Sequence, residues 1–303
     1  MSDQPVVPLV GGEEESEGVE PPRQASLWSD AWYELRRSPM FVVSAVLLAL
    51  IVTIALFPQL FTNQDPRACS LSDSLLRPSS EHWFGTDVQG CDYYARTIYG
   101  ARASIAVGVS VTAIAVSIAV LFGSMAGYFG GKIDTLISRF TDMVFAIPLI
   151  LGGIVLLTVL ENRGIPQVAF VLGVFSWPTM LRLMRSSVLS VAQADYVQAA
   201  RALGAGSFRI MRRHVLPNAI TPVIVYGTIF TGIVIQAEAA LTFLGVGLQL
   251  PAISWGLMIS LAQSRLLTAP HLLLFPGLFL SVTVFSFILM GDALRDALDP
   301  KLR

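Results

Sequence analysis

The apolar residues of this chain gather into six long runs, at 40–57, 104–126, 140–160, 168–189, 220–244 and 272–290. A helix needs about 20 mostly apolar residues to cross a hydrocarbon core, so each run predicts one membrane-spanning helix. A seventh, weaker stretch lies between Pro251 and Pro270 and carries Gln263 and Arg265; it predicts a surface or re-entrant helix on one side. The expected fold class is therefore an all-α membrane protein with six transmembrane helices. The polar segments divide it into a tail at 1–38, a first span with its external loop at 39–101, and a core at 102–303 whose longest internal connection is 190–218.

Basic residues orient the spans. With the N-terminus in the cytoplasm, 14 basic residues fall inside and 6 outside, the latter being Arg67, Arg77, Arg96, Arg102, Arg163 and Arg265. Both termini are thus expected to be cytoplasmic. Composition agrees with burial in lipid: 54% of residues are hydrophobic and 14% charged, against roughly 25% charged in a soluble domain. The 20 basic and 21 acidic residues leave no basic excess, which argues against nucleic acid as a partner.

The tail clusters Glu13, Glu14, Glu15, Glu17 and Glu20 beside Pro21 and Pro22, a disordered acidic pattern. It lacks a basic start directly before an apolar run, so it does not read as a signal peptide. The first span, behind Arg36 and Arg37, reads as an uncleaved anchor. The external connection holds Pro66, Pro78, Trp83, Gly85 and Gly90 and reads as an ordered loop. Cys69 and Cys91, the two cysteines of the chain, both fall here. They can pair on an oxidising face or stay separate thiols; sequence supplies no distance.

Several catalytic signatures fail. The phosphate-cradling G-x-x-x-x-G-K-[ST] has Ala126 for its first glycine and Ile133 after Lys132, and neither G-x-G pair completes a dinucleotide fingerprint. No H-E-x-x-H or G-x-S-x-G occurs among the residues. No catalytic residue, metal site or cofactor is expected in this chain. Glu238 is the ionisable residue deepest in the apolar runs, where a charge costs at least about 2.5 kcal/mol; it must face a polar cavity, a partner or a structural hydrogen bond. Asp142 reads as interfacial, and Trp177-Pro178 predicts a kink in the fourth span.

The connection 190–218 reads as helix, glycine turn, helix. Residues 195–203 are alanine-rich and helix-favouring, Gly204 suits a helix C-terminus, and Ser207 suits the N-cap of a second helix through Val215. Pro217 stops that helix or starts the next. Small Ala199, Ala200 and Ala202 let another backbone approach, and Arg201, Arg209, Arg212 and Arg213 offer charge to an acidic partner or lipid.

This loop resembles the E-A-A…G…I-x-L-P motif of binding-protein-dependent ABC importer permeases, with Gln198-Ala199-Ala200, Gly204 and Leu216-Pro217 at the matching spacing. Gln198 replaces the acid and His214 the isoleucine. His82-Trp83-Phe84-Gly85-Thr86-Asp87 with Gly90 and Asp92 resembles a G-T-D-x-x-G-x-D element, with Cys91 where arginine is usual. Ala126 to Gly131 with Asp134, Glu238 to Gly245, and Ser254-Trp255-Gly256 resemble further elements of the C-type permease subunit of oligopeptide/dipeptide importers. The likeness covers 38–303.

That resemblance implies a type-1 ABC importer permease in the plasma (inner) membrane, forming half of a translocation channel for oligopeptides or dipeptides. It implies a second homologous permease, two cytoplasmic ATPase subunits or one fused ATPase that hold ATP and Mg, an external substrate-binding protein, lipid, and a peptide substrate. Tyr196, Gln198, Ala199, Ala200, Gly204, Arg209, His214 and Pro217 would couple to the ATPase, and Glu238 would line the path. Gly85, Thr86, Asp87, Asp92 and Trp255 would lie on the external, binding-protein side, the first four alternatively forming a self-contained turn. Rival readings are the same machine with nickel-chelate or haem cargo, and an ion-driven secondary transporter. The latter predicts inverted repeats and several intramembrane charges.

Overall fold

The computed structural model describes residues 32, 33 and 35–298; most of the expected acidic tail at 1–38, together with Lys301 and Arg303, lies outside them. Among the described residues the secondary structure is helical, and sheet pairing is limited to two isolated bridges in the connection between α1 (Pro39–Leu56) and α2 (Tyr93–Phe129). Five helices among the described residues are long and apolar enough to cross a membrane. They are α1 (Pro39–Leu56), α2 (Tyr93–Phe129), α5 (Ile165–Val191), α7 (Thr221–Phe243) and α9 (His271–Leu298).

The sixth span departs from expectation. The run 140–160 is not one helix but the junction of α3 (Gly131–Phe145) and α4 (Leu149–Val159), bent by 78°. At 1.5 Å per residue α4 alone is about 16 Å long, too short to cross. Its partner α3 is amphipathic: Leu136, Phe140 and Met143 are exposed on one face, while Asp134 and Asp142 pair with α5. Arg185 holds Asp134 in a two-pronged contact (2.5 and 2.6 Å), and Arg182 reaches Asp142 at 2.7 Å. The expected interfacial Asp142 therefore lies on a helix tied to α5 by charge. Shorter helices include α6 (Asp195–Ala202) and α8 (Trp255–Ala262). The latter occupies the seventh, weaker stretch.

Local chemistry sets several of these ends. Ser38 accepts from the Phe41 N–H and Pro39 opens α1, the usual order at a helix start. Asp92 caps α2 by accepting from the Ala95 N–H at 2.7 Å. A π turn, Ala119–Gly123, interrupts α2 without ending it. α5 runs through Pro178, the position of the expected kink, as one helix.

The core runs between α2, α5 and α7, with Val107, Val111, Leu172, Met180, Val234 and Leu241 buried together. A second cluster joins Ile51 and Ile54 of α1 to Ile98 and Ile105 of α2 and Trp255 of α8. Close approach depends on missing side chains. A Cβ on Gly108 would stand 2.5 Å from Ile235, and one on Gly256 2.7 Å from the Ala239 Cα.

Candidate functional site

The connection after α5 has the expected helix–turn–helix form. Gly204 is left-handed (φ +80°) with open space around its Cβ position, so the requirement is conformational. Its N–H donates to Arg201 and that of Ala205 to Ala200 (3.0 and 3.1 Å), a Schellman ending for α6. The second helix begins at Ser207 with Gly206 as its cap residue and no side-chain cap bond, so Ser207 does not serve as the expected N-cap. Nor does it end at Val215. It widens into a π turn at Met211–Val215 and continues as Leu216–Ala219, with Pro217 in that last turn, almost to the start of α7.

Three buried residues, Val197, Ile210 and Val215, root this connection in the core. What remains outside is unexpectedly apolar. Leu203 is 89% exposed and Phe208 77%, on either side of the glycine turn. Tyr196, Gln198, Ala199, Gly204, Arg209 and Pro217 are exposed as well, whereas Ala200 and His214 are half-buried. The Gln198 amide folds back to donate to the Ala192 carbonyl at 3.1 Å. The motif residues thus surround a tip carried by Leu203 and Phe208. Those two were missed, although two large apolar residues beside a glycine turn in a polar loop were the available signal.

At the other end of the bundle Cys69 and Cys91 form a disulfide, settling the open question of their pairing. The G-T-D element closes on itself there. Thr86 donates to the Asp73 carbonyl and accepts from the Leu76 N–H (2.9 Å). Asp87 accepts from the Gln89 and Cys91 N–H groups (2.8 and 3.0 Å) and pairs with Arg96. Asp92 also receives His82 Nδ1 at 2.9 Å. Gly85 is needed because its φ is +75° and a Cβ would lie 2.4 Å from the Leu76 oxygen. Trp255 faces inward, donating its indole N–H to the Thr97 carbonyl at 2.9 Å. Thr86, Asp87, Asp92 and Trp255 are all buried; the first three bond within the segment 73–96, while Trp255 reaches α2 from α8.

Glu238 is fully buried near the end of α7. Its Oε1 accepts from Thr242 (2.8 Å) and Ser254 (3.4 Å), while Oε2 has no hydrogen-bond partner among the described residues. Thr242 in turn accepts from the Leu248 N–H (3.0 Å), and Ser254 caps α8 through the Leu257 N–H (3.2 Å). The carboxyl therefore gathers the end of α7, the strap 245–254 and the start of α8. The structure brings Glu238 and Trp255 to one neighbourhood through Ser254 and leaves the loop residues 196–217 in another.

Residues 119–303 match the profile of the binding-protein-dependent transport system inner membrane component, and residues 26–78 match the N-terminal TM domain of oligopeptide transport permease C. The chain belongs to this family of transport-system inner membrane components. As a permease of the family it is a multi-pass inner-membrane subunit. It is 37% identical over 281 residues to the oligopeptide transport system permease protein OppC of Bacillus subtilis (strain 168), covering 93% of this chain and 92% of that one. The dipeptide transport system permease protein DppC of the same organism is 37% identical over 95% of this chain and 90% of its own. The glutathione transport system permease protein GsiD of Escherichia coli O6:K15:H31 (strain 536 / UPEC) is 37% identical, with 94% of each chain covered. A chain from the crystal structure of an amino acid ABC transporter with histidines shares the fold, with a TM-score of 0.52, 14% identity, and coverage of 66% of this permease and 92% of that chain.

Proposed function

We propose that this permease forms half of the channel of an ATP-driven importer of short peptides, paired with a second, homologous permease. In this reading two cytoplasmic ATPase subunits, or one fused ATPase, drive it, and an external binding protein delivers the peptide. Relatives named for oligopeptides, dipeptides and glutathione support the cargo class, since all three names describe short peptides. The observation that carries the mechanism is the tip of the 190–218 connection. A large apolar pair stands exposed on a segment rooted by Val197, Ile210 and Val215, the form of a knob that fills a partner's groove.

Energy can move the spans only through contacts that differ between two states. Seating Leu203 and Phe208 in a closing ATPase groove supplies that difference, and the short run from the tip to α7 passes the motion on. Truncating a buried interface anchor costs about 2 kcal/mol, roughly thirtyfold in docking.

The test is ATP-dependent uptake of a labelled peptide by proteoliposomes holding the complete importer. Leu203→Ser with Phe208→Ser, and separately Gly204→Pro, should each abolish coupled uptake. The double variant should keep its melting temperature, since neither side chain is buried. Normal uptake by both would sink the coupling role; failure of the unaltered importer to move any peptide would sink the cargo class.

A further inference from the structure

A cavity of about 520 Å³ opens at the disulfide end of the bundle, within the roughly 300–1,000 Å³ of small-ligand sites. Asp65 and Arg67 form one wall, Tyr99 and Arg102 of α2 another, and Ile165 and Ile253 add apolar surface. Tyr99 and Arg102 are one helical turn apart and share a face of α2. Arg102 donates Nε to the Ala55 carbonyl (3.1 Å) and Nη2 to that of Leu56 (3.2 Å), leaving Nη1 uncommitted. Among the described residues the Arg67 guanidinium and the Tyr99 hydroxyl have no hydrogen-bond or ion-pair partner, and Asp65 uses one oxygen, accepting from the Arg67 N–H at 2.9 Å.

The loop wall is fixed rather than loose. Pro66 is buried, Ala68 N–H donates to the Asp65 carbonyl (3.1 Å), and Ser70 N–H donates to Gly90 (3.3 Å) beside the Cys69–Cys91 bond. Two guanidinium groups and one carboxylate thus face a single opening with most of their bonding capacity unused.

We propose that this cavity binds the zwitterionic main chain of a short peptide, with its carboxylate on Arg67 and Arg102 and its ammonium on Asp65. The inference rests on the peptide reading above. A guanidinium matches a carboxylate in geometry and charge, Asp65 supplies the complement for an ammonium, and Ile165 with Ile253 tolerates varied side chains. The site would therefore read the two chain ends that all short peptides share.

The test uses the complete complex in lipid nanodiscs without binding protein or ATP, and three probes: labelled dialanine, its C-terminal amide and its N-acetyl derivative. Dialanine should be retained, and each blocked form should bind about tenfold more weakly, the size of one charge-assisted hydrogen bond. Arg67→Gln should shrink the preference over the amide, Arg102 remaining, and Asp65→Asn should erase the preference over the acetyl form. Both side chains are exposed, so folding should not suffer, unlike Arg102→Gln, which removes bonds to the end of α1. If both variants discriminate as the unaltered complex does, or if dialanine is not retained by a complex that transports it, the site is wrong and the peptide reading stands. If the complete importer transports no peptide, both fall.

Discussion

The ion pair between Asp87 and Arg96 offers a quantitative test of the closed loop between α1 and α2. Asp87→Asn keeps an oxygen to accept the Gln89 and Cys91 N–H groups but removes the charge opposite Arg96. The two side chains are 10% and 8% exposed, and Arg96 Nε has no hydrogen-bond partner among the described residues. No second carboxylate is bonded to this guanidinium among the described residues. Breaking one member of a buried pair costs about 3–5 kcal/mol, because the remaining charge stays desolvated. At the lower figure the local opening equilibrium rises roughly a hundredfold. Amide hydrogen exchange of the purified permease reads this directly at Thr86, Asp87 and Tyr93, whose N–H groups donate within the loop at 3.1, 3.1 and 3.0 Å. Those amides should exchange roughly a hundredfold faster in the variant, while Ile235 in α7 should not change. Adding Arg96→Met should recover most of the loss, since no lone charge is then buried. Exchange within threefold of the parent, or a double variant no better than the single one, would refute the reasoning.

Two other outcomes follow from geometry. Gly256→Val should lower the melting temperature, because its Cβ would stand 2.7 Å from the Ala239 Cα and overpacking costs about 1–3 kcal/mol; an unchanged temperature would mean α7 and α8 are not in such close contact. Replacing Cys69 and Cys91 by serine removes a cross-link across 22 residues, worth about 3 kcal/mol. The loop should then be cut faster by protease, and equal cutting would show that its hydrogen bonds suffice alone.

The long apolar runs made the bundle legible because lipid demands continuous hydrophobicity and internal backbone bonding. Their edges were less so. The run beginning at 104 belongs to a helix that starts at Tyr93, since Arg96 and Arg102 break the apolar pattern yet find partners in the fold. The run 140–160 hid a bend because hydropathy counts composition and ignores direction. In the connecting loop Gly204 was readable, since a left-handed position leaves a residue-type signature. The inward turn of Thr86, Asp87 and Trp255 was not, because burial of a polar motif depends on contacts from segments far along the chain. The disulfide needed a distance between positions 22 residues apart. Glu238 was visible as an anomaly, but its partners, Thr242 one turn away and Ser254 across the strap, could be named only in three dimensions.

The wide turn at Ala119–Gly123 separates two quantities that an ordinary helix locks together. A π turn holds about one residue more than an α turn for the same revolution. Within α2, then, the number of residues and the distance travelled come apart at one place. Losing a single residue there would return the turn to ordinary winding and leave the two flanking halves in phase, with Gly108 still against α7 and Gly127 still against α5. The same deletion anywhere else in the helix would rotate everything beyond it by about 100 degrees. The span carries its own splice point, where one residue can be lost without turning either half.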